Sequence, residues 1–185
     1  MPEDLASRVE RDTRNWLERA VIGLNLCPFA KAVHVKRQVH YAVSAATQPD
    51  RLLEEFGEQL DELLSMDPAI RETTLLVAPC CLADFVEFNE FIPRAGRVIR
   101  KRKAEGVIQL ATFHPAYRFA GTTTDDVTNF TNRAPYPTLH LLREASIERA
   151  VQAIAEPQAI YEANMRTLRD LGLEGWNSLG VGPSS

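Results

Sequence analysis

Two histidines (His114, His140), two adjacent aspartates (Asp125, Asp126) and an Asn132–Arg133 pair fall within residues 109–143, QLATFHPAYRFAGTTTDDVTNFTNRAPYPTLHLLR. Neutral imidazole can act as a base or a ligand near physiological pH. An arginine can hold a carboxylate or phosphate through two parallel hydrogen bonds. The pattern suits acid/base chemistry on an anionic small molecule. His114 or His140 would be the acid/base, Arg133 the anion clamp, with Arg118 and Arg143 beside it, and Asn132 and Tyr136 would orient the substrate. Cys27 is a further candidate, as nucleophile or thiolate ligand. It falls near what reads as a helix C-terminus, whose partial negative charge disfavours thiolate. A small buried residue beside a proline turn is the plainer account of it.

Each of these residues also has a structural account. A histidine at a loop junction can be satisfied by backbone, an arginine can tie the loop's own carbonyls together, and one aspartate can cap a helix. On that reading the chain is a non-catalytic binding or scaffold module. A metal site from Cys27, His114, His140 and an aspartate lacks the tight spacing of C-x-x-C or H-E-x-x-H, so none is assigned. No G-x-G-x-x-G or P-loop is present, and no cofactor is identified. The run Arg94, Arg97, Arg100, Lys101, Arg102, Lys103 could meet nucleic acid. It has no interleaved aromatic platform, and a solvated helix face is the better account.

The composition is that of an ordinary globular chain. Of 185 residues, 45% are apolar and 25% charged, and the net charge of −4 gives no general attraction to nucleic acid or acidic membranes. No apolar run is long enough to span a bilayer, and the acidic, polar N-terminus is unlike a secretory signal. Three cysteines, two adjacent, make a poor disulfide framework. A cytoplasmic protein is expected, with a single domain over residues 1–175 and a mobile tail, 176–185, without apolar anchors.

The elements that must position these residues follow from periodicity. An amphipathic helix is expected from residue 3 to about 24, turning at Asn25–Pro28. Val35–Ser44 reads as a first strand, then a helix carries Leu52, Leu53, Phe56, Leu60, Leu63 and Leu64 on one stripe. Glu72–Pro79 is a buried strand. Asp84 and Glu87 make a capping box for a helix that Pro93 kinks or splits and Gly106 ends. Val107–His114 is a third strand. The 23 residues 115–137 are long for a connection, yet too aromatic for disorder. Thr124 caps a short helix at 125–131, Thr138–Leu142 is a fourth strand, and two helices follow: one capped by Ser146 and running to Ala155, the other from Pro157 to Gly172.

Alternating strands and helices imply an α/β fold: a small three- or four-stranded, largely parallel sheet with helices packed on it, the fourth strand at an edge. A ferredoxin-like α+β arrangement is the alternative. With strands one to three parallel, Ser44, Cys80–Cys81 and His114 leave the sheet at one edge, where such sheets bind ligands.

The motifs N-L-C-P-F-A (25–30), Q-L-A-T-F-H-P (109–115), N-R-A-P-Y-P (132–137) and L-H-L-L-R (139–143) carry a resemblance that covers nearly the whole chain. They resemble a bacterial domain-of-unknown-function family, number fourteen-fifteen. The resemblance implies a single-domain bacterial protein without an assigned activity. Its characteristic positions fall on Asn25, Cys27, Pro28, Phe29, His114, Pro115, Asn132, Arg133, Pro135, Tyr136, His140 and Arg143. Cys80 and Cys81 lie outside that pattern.

Overall fold

A computed structural model describes residues 3–152 and 157–184. Helix α1 (Glu3–Trp16) continues as a π-helical stretch, Leu17–Ile22, and α2 spans Pro28–Val35. There follow β1 (Val39–Val43), α3 (Pro49–Ser65), β2 (Thr73–Val77), α4 (Phe85–Lys101) and β3 (Ile108–Phe113). A 3-10 helix (Val127–Asn132) interrupts the long loop before β4 (Thr138–Arg143), α5 (Glu144–Gln152) and α6 (Pro157–Ser178).

The first strand is shorter than Val35–Ser44, because a helix occupies its expected start. Pro28 sits in the first turn of α2, where its fixed φ is already helical. Arg37 then takes the left-handed conformation (φ 58°). Its N–H donates to the His34 carbonyl and that of Gln38 to the Val33 carbonyl, which is a Schellman ending. Glycine is the usual residue there, and without one the sequence carries no stop signal. Helix α4 ends in the same way at Lys103 (φ 55°), short of Gly106. It runs through Pro93 as one element, capped by Asp84, whose carboxylate accepts from Val86 and Glu87 N–H. Gly172 (φ 64°, ψ 179°) breaks α6, but helix resumes to Ser178.

The sheet order is β1-β2-β4-β3. β1 and β2 pair in parallel, whereas β4 is antiparallel to both β2 and β3. β1, β2 and β3 therefore point the same way, as expected, and their carboxyl ends share an edge. The sheet as a whole is mixed rather than largely parallel, and β4 is central rather than at an edge. Its inward pattern explains this: Thr138, Leu139, Leu141 and Leu142 are all buried, so both faces of the strand are covered. Nor is it ferredoxin-like, since β3 and β4 follow β1-α3-β2-α4 without the hairpin between two βαβ halves.

Helices cover both faces. On one, Leu52, Phe56, Leu60 and Leu63 of α3 and Phe88, Phe91, Ala95 and Ile99 of α4 pack on Leu76, Leu139 and Leu141. On the other, Val9 of α1 packs on Leu75 and Val77, and Phe29 and Val33 of α2 pack on Leu142. There too Trp16, Leu17 and Ala20 meet Phe130, Leu168 and Trp176. Val181 is buried in that same cluster. Gly180 O accepts from Asn15 Nδ2 (2.9 Å) and Leu179 O from Arg19 Nη1 (3.0 Å), so the C-terminal segment has the anchors its sequence did not reveal.

We expect Leu141→Ala to lower unfolding free energy by about 2–5 kcal/mol, because it opens a cavity at the centre of the sheet. Urea titration measures it; a loss below about 1 kcal/mol would place β4 at an edge instead.

Candidate functional site

His114 follows the last residue of β3, and its ring is fully buried between Phe85 and Phe88, with centroids at 5.2 and 5.0 Å. Ala116 N–H donates to Nδ1 (3.0 Å), so the ring proton sits on Nε2 and is donated to the Leu82 carbonyl (3.0 Å). Burial keeps the imidazole neutral by lowering its pKa, against the opposing pull of the Leu82 carbonyl. Both nitrogens are occupied. The ring joins the β2–α4 loop, where Leu82 is held at φ 58°, to the start of the long loop.

The long loop consumes its own polar side chains. Asp126 caps the 3-10 helix, accepting from Thr128 N–H (2.9 Å) and the Thr128 hydroxyl (2.7 Å), and those bonds hold its pKa below the usual carboxylate value. The cap is thus Asp126 rather than Thr124. Asn129 accepts from Phe119 N–H and Thr122 Oγ1 and donates to the Thr123 carbonyl. Asn132 donates to the Thr112 carbonyl (3.2 Å), while its own carbonyl accepts from His114 N–H (3.1 Å). Arg133 donates to the carbonyls of Tyr117 (3.2 Å) and Thr124 (2.7 Å), with its guanidinium 4.2 Å above the Phe130 ring. Tyr136 donates to Asp12 (2.8 Å), and burial followed by that carboxylate pushes its phenol up to about 12. Arg143 donates Nη2 to the Leu63 (2.6 Å) and Met66 (2.8 Å) carbonyls at the end of α3, where a cation also suits the helix dipole.

His140 is different. It lies mid-strand on β4, opposite Leu75 of β2 and Ala111 of β3, on the face covered by α1 and α2. The Thr73 hydroxyl has one proton, which goes to the Leu141 carbonyl (2.6 Å). Its 2.6 Å contact with His140 Nε2 must therefore be donated by Nε2–H. The tautomer is set, and Nδ1 has no hydrogen-bond partner among the described residues. Burial alone pushes the ring down to about pH 3, so it is neutral under ordinary conditions.

The His140 ring lines a cavity of about 120 Å³ between the sheet and the N-terminal helices, and almost all of the wall is carbon. Trp16, Leu17, Ala30, Leu75 and Phe113 form much of that wall, and Cys27 and Thr73 also line it. Cys27 is the N-cap of α2, not a residue at a helix C-terminus. Burial raises its thiol pKa, and the Ala30 and Phe29 N–H groups oppose this only in part. It is a thiol, not a poised thiolate, and no hydrogen bond joins it to His140 among the described residues.

Of the residues singled out from sequence, the structure thus brings together Cys27 and His140. His114, Arg133, Tyr136 and Arg143 do not line their cavity. The site expected at the carboxyl edge of the sheet is also displaced. That edge carries an open cleft of about 640 Å³ lined by Cys80, Cys81, Glu87 and Arg94, with neither histidine in it. Sequence reasoning missed Thr73, because which hydroxyl faces His140 depends on a register between strands 67 residues apart. It also missed the α2 wall, because that segment read as a turn. Among the described residues, no three His, Cys, Asp or Glu side chains are grouped to hold a metal. No described helix is long and apolar enough to cross a membrane.

Two outcomes follow from these contacts. Asn132→Ala and Arg133→Ala should each lower stability by about 1–3 kcal/mol, by leaving backbone carbonyls without donors. The melting temperature measures it; an unchanged value would mean that these side chains are not holding the loop. Burial lowers the pKa values of His40, His114 and His140 alike, and the large shift is that of His140. Its folded pKa (about 3) lies below the ordinary 6.5, so the unfolded chain binds the proton first. Stability is complete above pH 6.5 and falls as pH drops towards 3, by up to about 1.4 kcal/mol per pH unit from this one group. Denaturant unfolding at pH 7, 6 and 5 should show that slope, and His140→Phe should reduce it.

The comparisons with known proteins bear on the whole chain. The family described as "Protein of unknown function (DUF1415)" matches residues 8–178. The chain belongs to that family. No curated protein and no solved structure matches it.

Proposed function

We propose that this member of the DUF1415 family binds a small, uncharged, largely apolar molecule in the cavity between the sheet and helices α1 and α2. The observation that supports this reading is the cavity itself. Protein interiors hold few voids larger than a water molecule, and this one borders a neutral histidine whose Nδ1 has no partner among the described residues. A concave wall made almost entirely of carbon suits an apolar ligand.

The other candidate reading, acid/base catalysis on an anion, has less support. Arg133 and Arg143 both donate to backbone carbonyls, although the buried Arg143 Nε has no partner among the described residues. A base with a pKa near 3 is a weak one at neutral pH. Binding through residues 94–103 is weaker still as a proposal. Arg94 pairs with Asp50 and Arg102 with Asp61, so two of the six cations are already engaged with carboxylates of α3. The scaffold role remains for the loop: Asn129, Asn132 and Arg133 fold it.

Xenon under pressure tests the cavity, since a dry apolar void takes it up. It should perturb the methyl resonances of Leu75, Leu17 and Val33, and Ala111→Val, which adds two carbons to the wall, should abolish the effect with stability kept. Acetate or phosphate at millimolar concentration should leave the same resonances unmoved. Perturbation by the anions and not by xenon would reverse the proposal.

A further inference from the structure

Beyond the apolar cavity, we propose a second site, in which Ser146 is a nucleophile and Glu72 its base, acting on small esters with a short aliphatic acyl group. It lies in an open cleft of about 610 Å³ between α2 and α5, which Glu72, Ser146 and Arg149 all line. Glu72 leads into β2 and Ser146 sits in the first turn of α5; each is recessed, with 6% of its surface exposed. Arg149, one turn further along α5, donates Nη2–H to Ser146 Oγ (2.6 Å). Arginine accepts no hydrogen bond, so the hydroxyl has its own proton to give, and Glu72 Oε1 takes it. The order is fixed: guanidinium to hydroxyl, hydroxyl to carboxylate.

A serine hydroxyl is a weak nucleophile until an adjacent base draws on its proton. Burial raises the Glu72 pKa, against the pull of Arg143 on β4, Arg149 on α5 and Lys36 on α2. That makes the carboxylate a stronger base than one in water. A purely structural tie between α5 and β2 would not call for a charge there, since a neutral partner is cheaper to bury. Attack by Oγ on an ester carbonyl sends the hydroxyl proton to Glu72. When the tetrahedral intermediate collapses, the bond to the leaving oxygen breaks and Glu72 returns the proton to it. Water then attacks the acyl-serine, Glu72 takes a proton from the water, and Oγ recovers it as the carboxylic acid leaves. The negative oxygen of each intermediate is two bonds from Oγ, which brings it near the Arg149 guanidinium, a preorganised positive charge. Phe29, Ala32 and Val33 of α2 offer the acyl group an apolar surface in the same cleft.

A fluorophosphonate probe tests this chemistry, because an activated serine hydroxyl displaces its fluoride and keeps the phosphonyl group. The full chain should take up a single adduct, mapped to Ser146 by peptide mass, and Ser146→Ala should take none. The labelling rate should fall as pH drops through a midpoint above the ordinary carboxylate value, because protonated Glu72 is no longer a base. That profile is read on the unsubstituted protein and does not depend on any variant's folding. Glu72→Gln keeps a hydrogen-bond acceptor for the hydroxyl but removes the base. It should slow both labelling and the hydrolysis of p-nitrophenyl butyrate by about 10²–10⁴-fold. An unlabelled Ser146, a labelling rate independent of pH across the carboxylate range, or equal rates in Glu72→Gln would each overturn the proposal. The cavity reading stands or falls separately, on xenon.

Discussion

The chain must re-enter its own sheet, and most of the structure answers to that requirement. β2 and β3 point the same way with a gap between them, and β4 fills the gap in the opposite direction. The segment between Phe113 and Thr138 has to reverse the chain at the end of the sheet and deliver it in register. A compact loop of this length holds many backbone N–H and C=O groups that lack a ladder, and those that are buried need partners. Here the partners are side chains. His114, Asn129, Asn132 and Arg133 each bind main-chain groups of the loop or of its neighbours. The density of polar residues that makes 109–143 look like an active site is, for these four, the means of folding a loop.

That explains what could and could not be read from the sequence. The helices α3 and α4 and the strands β1, β2 and β3 were legible because their apolar periodicity is decided locally and the core merely ratifies it. The shared direction of the first three strands followed from the alternation of strand and helix. The position of β4 was not legible, since a short apolar strand can sit at an edge or in the middle, and only the pairing partners decide. Helix α2 was hidden by Arg37, a left-handed residue with none of glycine's visibility. The difference between His114 and His140 was equally hidden. Both lie beside chain-turning or strand motifs, but Leu82 and Ala116 saturate one ring, while Thr73 saturates only half of the other.

Cys27 shows how a small shift in a boundary alters a chemical argument. Placed at the end of α1, it would face carbonyls; placed at the start of α2, it faces N–H groups. The second position is the one that favours thiolate. Burial nevertheless dominates, and the pKa moves up. A helix N-terminus is not enough to activate a thiol that has been taken out of water without a cation nearby.

The energetics of His140 argue that its cavity is more than imperfect packing. Position 140 is mid-strand in the centre of the sheet, flanked by Leu139 and Leu141 and opposed by Leu75 and Ala111. An aliphatic side chain there would bury its surface at a gain of about 1.5–3 kcal/mol and ask for nothing in return. An imidazole instead needs two polar partners, and Thr73, itself a polar residue in the fully buried strand β2, supplies only one. The second nitrogen has no hydrogen-bond partner among the described residues. Thr73 lessens the problem and also removes any freedom in its solution, because it decides which nitrogen stays bare. Two polar residues are thus engaged with each other along the wall of an apolar cavity, where an aliphatic pair at the same positions would need no partner at all.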